Sequence, residues 1–112
     1  MTTSMTNPKI MTITKEELAQ KIQNAQPVQI INVLDPKFYN WGFIKGSIKI
    51  PLDQLDRRLG VLDKNIEVVT YCASYDCPAS IKAAEKLLSK GFKVCAYEGG
   101  IKEWKEAGLP TE

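Results

Sequence analysis

The stretch IEVVTYCASYDCPASIKAAEKLLSKGF, residues 66–92, decides the fold. It opens on a short run rich in β-branched residues, which predicts a strand over 66–72 buried on both faces. A loop, ASYDC, follows Cys72, and Pro78 suits the first turn of a helix. Ile81, Ala84, Leu87 and Leu88 recur at helical spacing and are expected to form its buried face. Lys90-Gly91 then supplies a stop, because glycine takes the left-handed conformation that ends helices at little cost.

Working outward, the same alternation repeats. Toward the C-terminus, FKVCAY (92–97) reads as a strand, Glu98-Gly99-Gly100 as a turn, and 101–106 as a helix anchored by Trp104. Toward the N-terminus, VQIINV (28–33) is a second buried-strand pattern. Asp35-Pro36 has the form of an N-cap followed by a first-turn proline, so a short helix should carry Phe38, Tyr39 and Trp41 as far as Gly42. SIKI (47–50) predicts another strand, and PLDQLDRRL (51–59) a short helix through Leu52, Leu55 and Leu59. Thr14 and Glu17 have capping-box spacing, with Leu18, Ala19 and Ile22 as the apolar stripe of a helix over 15–24. Residues 1–11 are polar and without periodicity, so a mobile tail is expected ahead of one domain over 12–112. The whole predicts an α/β fold: a small doubly wound, mostly parallel five-stranded sheet with helices on both faces.

Composition narrows function. The chain has 112 residues, 44% of them hydrophobic, enough for one core. No apolar run approaches the roughly 20 residues of a membrane span, and the first residues lack the apolar core of a secretory signal, so a cytoplasmic protein without membrane association is expected. Fifteen Lys and Arg against thirteen Asp and Glu, interspersed, argue against nucleic-acid binding. Three cysteines, an odd number, fit thiols kept reduced rather than a disulfide framework. There is no histidine, which excludes any imidazole base; with no close cysteine pair either, neither a metal nor a cofactor is expected. Monomer and homodimer both remain open.

Ligands of parallel sheets bind at the carboxyl ends of strands, beside the helices that follow. Of those ends, only the one after residue 71 offers a reactive side chain, Cys72. Loop amides and the start of the next helix would lower its pKa from about 8.5 and cradle an anion or a second sulfur. A cysteine at a strand end also serves simply as a small buried hydrophobe, and position alone leaves the two open. Cys95, mid-strand, reads as core, as does Trp104. Phe38, Tyr39 and Trp41 read as packing on the sheet edge, and Lys45 and Lys49 as solvated.

Three blocks carry a resemblance. IINVLDPKFYNWGFIKGSIKIPL (30–52) is similar to the rhodanese segment reading roughly LIDVR, an acidic and an aromatic residue, then GHIPGAINIPL. VVTYCASYDCPASIKAAEKLLSKGF (68–92) resembles that family's active-site strand, loop and helix, and CAYEGGIKEWKEAGLPTE (95–112) its closing glycine pair, tryptophan and AGLP signature. With the ITKEEL opening they span 13–112. The resemblance implies sulfur transfer: Cys72 is the persulfide-forming nucleophile, and the amides of Ala73, Ser74, Tyr75, Asp76 and Cys77 form the substrate-binding loop. It implies a small sulfur-donor anion such as thiosulfate or polysulfide, and a thiol or protein acceptor. A polysulfide-sensing or interaction module using Cys72 and Cys77 is the alternative.

Departures from the family pattern matter too. Asn32 and Leu34 stand where relatives carry aspartate and arginine, and Phe43 replaces a histidine; all three read as structural or rim positions. Cys77 takes the place of an arginine five residues after the cysteine, which weakens the case for thiosulfate and argues against the phosphatases that share this fold. A loop that doubles back would bring Cys72 and Cys77 within the roughly 7 Å that a disulfide tolerates. Cys77 then acts as a resolving thiol or merely fills the start of the helix.

Overall fold

The computed structural model describes residues 10–74 and 77–112. Five strands form one all-parallel sheet in the order β1-β5-β4-β2-β3: β1 (Met11–Thr12), β2 (Gln29–Asn32), β3 (Ile48–Lys49), β4 (Val68–Tyr71) and β5 (Val94–Tyr97). Three α-helices, α1 (Lys15–Gln23), α2 (Ala79–Ser89) and α3 (Gly100–Glu106), join 3-10 helices over Pro36–Trp41, Leu52–Arg57 and Leu59–Val61. All four residues of the central strand β4 are buried, as a sheet covered on both faces demands. Alternate side chains divide the core. Thr70 faces α2, its hydroxyl donating to the Ser80 carbonyl at 2.8 Å, whereas Tyr71 and its register partner Tyr97 point to the opposite face.

Local chemistry accounts for most element ends. Thr14 caps α1 with the reciprocal Glu17 contacts of a capping box, and the Asp35 carboxylate accepts the Lys37 N–H ahead of Pro36. Gly91 closes α2 at a φ of 91°. Trp104 is buried against Tyr97, and its ring N–H donates to the Pro110 carbonyl at 2.7 Å. Cys95 is buried among core residues, and Lys45 and Lys49 are exposed.

Three expectations need correction. Met11 belongs to β1, paired with Cys95, so strand structure begins inside the stretch expected to be a tail; residues 1–9 lie outside the described residues. Both side chains of this edge strand are exposed, which leaves no hydrophobic pattern to read. The buried face of α2 is turned from the one predicted: Ser80, Ala83, Ala84 and Leu87 are buried, while Ile81 and Leu88 are half-buried at the flanks. Small side chains let the helix backbone approach β4 closely enough for the Thr70 hydroxyl to reach it. In the Pro36–Trp41 helix Tyr39 packs against the core as expected, but Phe38 and Trp41 stay exposed, their ring centroids 6.0 Å apart.

Candidate functional site

Strand β4 delivers Cys72 to the carboxyl edge of the sheet, one residue past its last ladder position. The chain there is held from two sides. The Tyr71 carbonyl accepts the Val33 N–H at 3.0 Å, and the carbonyls of Cys72 and Ala73 accept the N–H groups of Ile101 and Lys102, each at 2.9 Å. The first amides of α3 thus fix the start of the loop. Close approach requires Gly100: its φ is 69°, and a Cβ there would lie 2.6 Å from the Cys72 oxygen and from the Ala73 carbonyl. A glycine pair in the sequence signals only a turn; the partner that demands it lies 27 residues upstream in the chain, at Ala73.

Cys72 is 1% exposed and packs within the core, whereas Cys77 is half-buried. The two sulfurs are in disulfide contact, with Cα atoms 6.5 Å apart, inside the range a disulfide spans. Cys72 Sγ also lies 3.4 Å from the Cys77 carbonyl oxygen. The Cys77 N–H donates to the Ser74 carbonyl at 3.1 Å. Ala73 and Ser74 are half-buried, and Tyr75 and Asp76 lie outside the described residues. Cys77 precedes Pro78, the N-cap of α2, so the positive end of that helix lies beside the sulfur pair.

Beside the pair opens a cleft of about 540 Å³, floored by Val33, Leu34, Leu52 and Ala79, walled by Phe38, and reached by Cys77. Its charged lining is Asp35, Asp53, Asp56 and Lys86, and Lys86 is already paired with Asp56 at 3.0 Å. Among the described residues lining it, three carboxylates therefore face one ammonium, a poor setting for a dianion.

Behind the loop sits a buried polar network. The Tyr71 oxygen accepts from Asn32 Nδ2 at 3.2 Å and from the Ile44 N–H at 3.0 Å. Ser47 donates to the Ile44 carbonyl at 2.6 Å, so the Tyr71 hydroxyl proton goes to Ser47 Oγ at 2.8 Å. Asn32 Oδ1 accepts the Leu34 N–H at 2.9 Å. Asn32 is fully buried and holds the turn after β2, a structural position. Burial raises the Tyr71 pKa, with the bonds from Ser47, Asn32 and Ile44 opposing it. Burial, then the nearby Glu67 carboxylate, pushes the Cys95 thiol up to about 12, which keeps it protonated.

Residues 14–107 match the rhodanese-like domain family, and the chain belongs to that family. It is 32% identical over 100 residues to a Mycobacterium tuberculosis protein named HTH-type transcriptional regulator, covering 89% of this chain but only 44% of that one. It is 28% identical to an Allochromatium vinosum protein named sulfurtransferase, covering 88% of this chain and 91% of that one. A crystal structure of a Lactobacillus plantarum protein superposes with a TM-score of 0.84 at 29% identity, over 91% of this chain and 87% of the other. Among the described residues, no helix is long and apolar enough to cross a membrane.

Proposed function

We propose that this domain transfers sulfane sulfur through a persulfide on Cys72. The Cys72 thiolate attacks the outer sulfur of a donor R–S–SH; the Sγ–S bond forms as the donor's S–S bond breaks, and RS⁻ departs. An acceptor nucleophile then takes the outer sulfur and returns Cys72 as thiolate. The observation that carries this reading is the sulfur contact itself: the space beside Cys72 Sγ accommodates a bonded sulfur atom, at the carboxyl edge of the central strand, where parallel sheets bind ligands. Membership of the rhodanese-like family and the sulfurtransferase name of a relative support it in general terms.

The cleft chemistry favours hydropersulfides and polysulfides over thiosulfate. An arginine-free loop next to three carboxylates offers a sulfonate dianion little, whereas the apolar floor suits an alkyl group carrying a persulfide. Cys72 is buried when joined to Cys77, so the dithiol form is the one that meets the donor. The test is the intact mass of the reduced protein after donor treatment. A gain of one sulfur atom, mapped to Cys72 in a Cys77→Ser background and absent from Cys72→Ser, is expected; sulfur acceptance surviving Cys72→Ser refutes the assignment.

The Cys72–Cys77 contact also favours a sensing role without turnover, and one relative is named a transcriptional regulator. Repeated turnover with excess donor and acceptor separates the two: a sensor stops after one event per chain.

A further inference from the structure

We infer that Cys77 resolves the Cys72 persulfide within the chain, so that the domain reduces sulfane sulfur to sulfide and closes a Cys72–Cys77 disulfide. This rests on the reading of Cys72 as the sulfur acceptor. Three observations point to it. The two sulfurs are in disulfide contact, and their Cα separation of 6.5 Å is compatible with that bond. The Cys77 N–H donates to the Ser74 carbonyl, a backbone bond that ties Cys77 to the segment following Cys72. The two thiols differ in surroundings: Cys72 is buried, while Cys77 is half-buried, lines the cleft and sits directly before the N-terminus of α2, whose positive end favours a thiolate.

The chemistry balances. The Cys77 thiolate attacks Cys72 Sγ; the Sγ–Sγ bond forms, the bond from Cys72 Sγ to the outer sulfur breaks, and its electron pair leaves as HS⁻. Two thiols are oxidised to a disulfide, and the sulfane sulfur is reduced to sulfide. Two molecules of a low-molecular-weight thiol then reset the pair. The first attacks Cys77 Sγ, the accessible sulfur, and expels the Cys72 thiolate; the second releases Cys77. The sum is RSSH + 2 R′SH → RSH + H₂S + R′SSR′.

Tethering decides the route. A thiol held five residues away acts at an effective concentration of at least about millimolar without new contacts, and higher if the attack geometry is preformed. Resolution should therefore proceed without added acceptor, at a rate independent of protein concentration.

The experiment uses the full chain, reduced, freed of reductant under anaerobic conditions and treated with an alkyl hydropersulfide. Wild-type protein is expected to release about one equivalent of sulfide per chain and to finish as a Cys72–Cys77 disulfide in a non-reducing digest. Cys77→Ser is expected to retain the extra sulfur and release sulfide only after a thiol is added. Wild-type protein that retains the extra sulfur, with Cys77 still open to alkylation, overturns the resolving role and leaves the sulfur-carrier reading intact. A disulfide mapped between chains, or to Cys95, overturns it as well. If neither protein takes up sulfur at Cys72, the reading of Cys72 as acceptor falls too.

Discussion

Replacing Gly100 with alanine tests how the loop after Cys72 is held. At a φ of 69° an alanine incurs the left-handed penalty, roughly 1 kcal/mol. Its Cβ would also stand 2.6 Å from three backbone atoms of Cys72 and Ala73, and backbone cannot swing aside as a side-chain tip can. Overpacking of this kind costs about 1–3 kcal/mol. Relief by backing α3 away stretches the bonds from Ile101 to Cys72 and from Lys102 to Ala73, both 2.9 Å. The sum is a loss of about 2–4 kcal/mol, equivalent to a fall in Tm of roughly 8–16 °C for a domain of this size. Urea unfolding followed by tryptophan fluorescence measures it. Gly60→Ala is the control: its Cβ would meet nothing within 4 Å and no positive φ is involved, so a change within about 1 kcal/mol is expected. Iodoacetamide should also label Cys72 faster in reduced Gly100→Ala than in wild type, because a displaced α3 loosens the loop. A Gly100→Ala midpoint within about 0.5 kcal/mol of wild type would refute the argument that backbone contact pins this turn.

Two further outcomes follow from buried groups. Tyr71→Phe removes the acceptor shared by the Ile44 N–H and the Asn32 amide, both fully buried, and should cost about 2–4 kcal/mol in denaturant stability; a loss under about 1 kcal/mol would mean that the network rewires. The Cys95 thiol titrates near 12 when folded against 9.0 as its ordinary value. Below pH 9 both folded and unfolded chains keep that proton; between 9 and 12 only the folded chain does, so stability falls as pH rises through the window, by up to about 1.4 kcal/mol per unit. Cys95→Val should flatten the fall in urea midpoint between pH 9 and 10.5, leaving the slope that Lys21, Tyr39 and Tyr71, also raised, contribute. An unchanged slope would show that other groups carry the alkaline sensitivity.

Neighbouring residues were enough to reveal much of this chain. A capping box at Thr14 and Glu17, the Asp35-Pro36 start, the Gly91 stop and a cysteine at the end of a β-branched run are legible because each depends on contacts within a few residues. The family's motifs likewise lie in contiguous blocks, and the close approach of Cys72 to Cys77 follows from a five-residue loop that doubles back. Tertiary structure decided what depends on distant partners. Met11 becomes a strand because the edge of β5 offers an unpaired ladder, not because of its own side chain. The face that α2 buries is set by how closely Ser80, Ala83 and Ala84 let it approach Thr70. Tyr71 gathers Asn32, Ile44 and Ser47 from 24 to 39 residues away, and Gly100 is required by a carbonyl that only folding brings beside it. Local backbone chemistry is written in order along the chain, whereas close packing and buried hydrogen bonds join groups whose separation in sequence carries no signal of their contact.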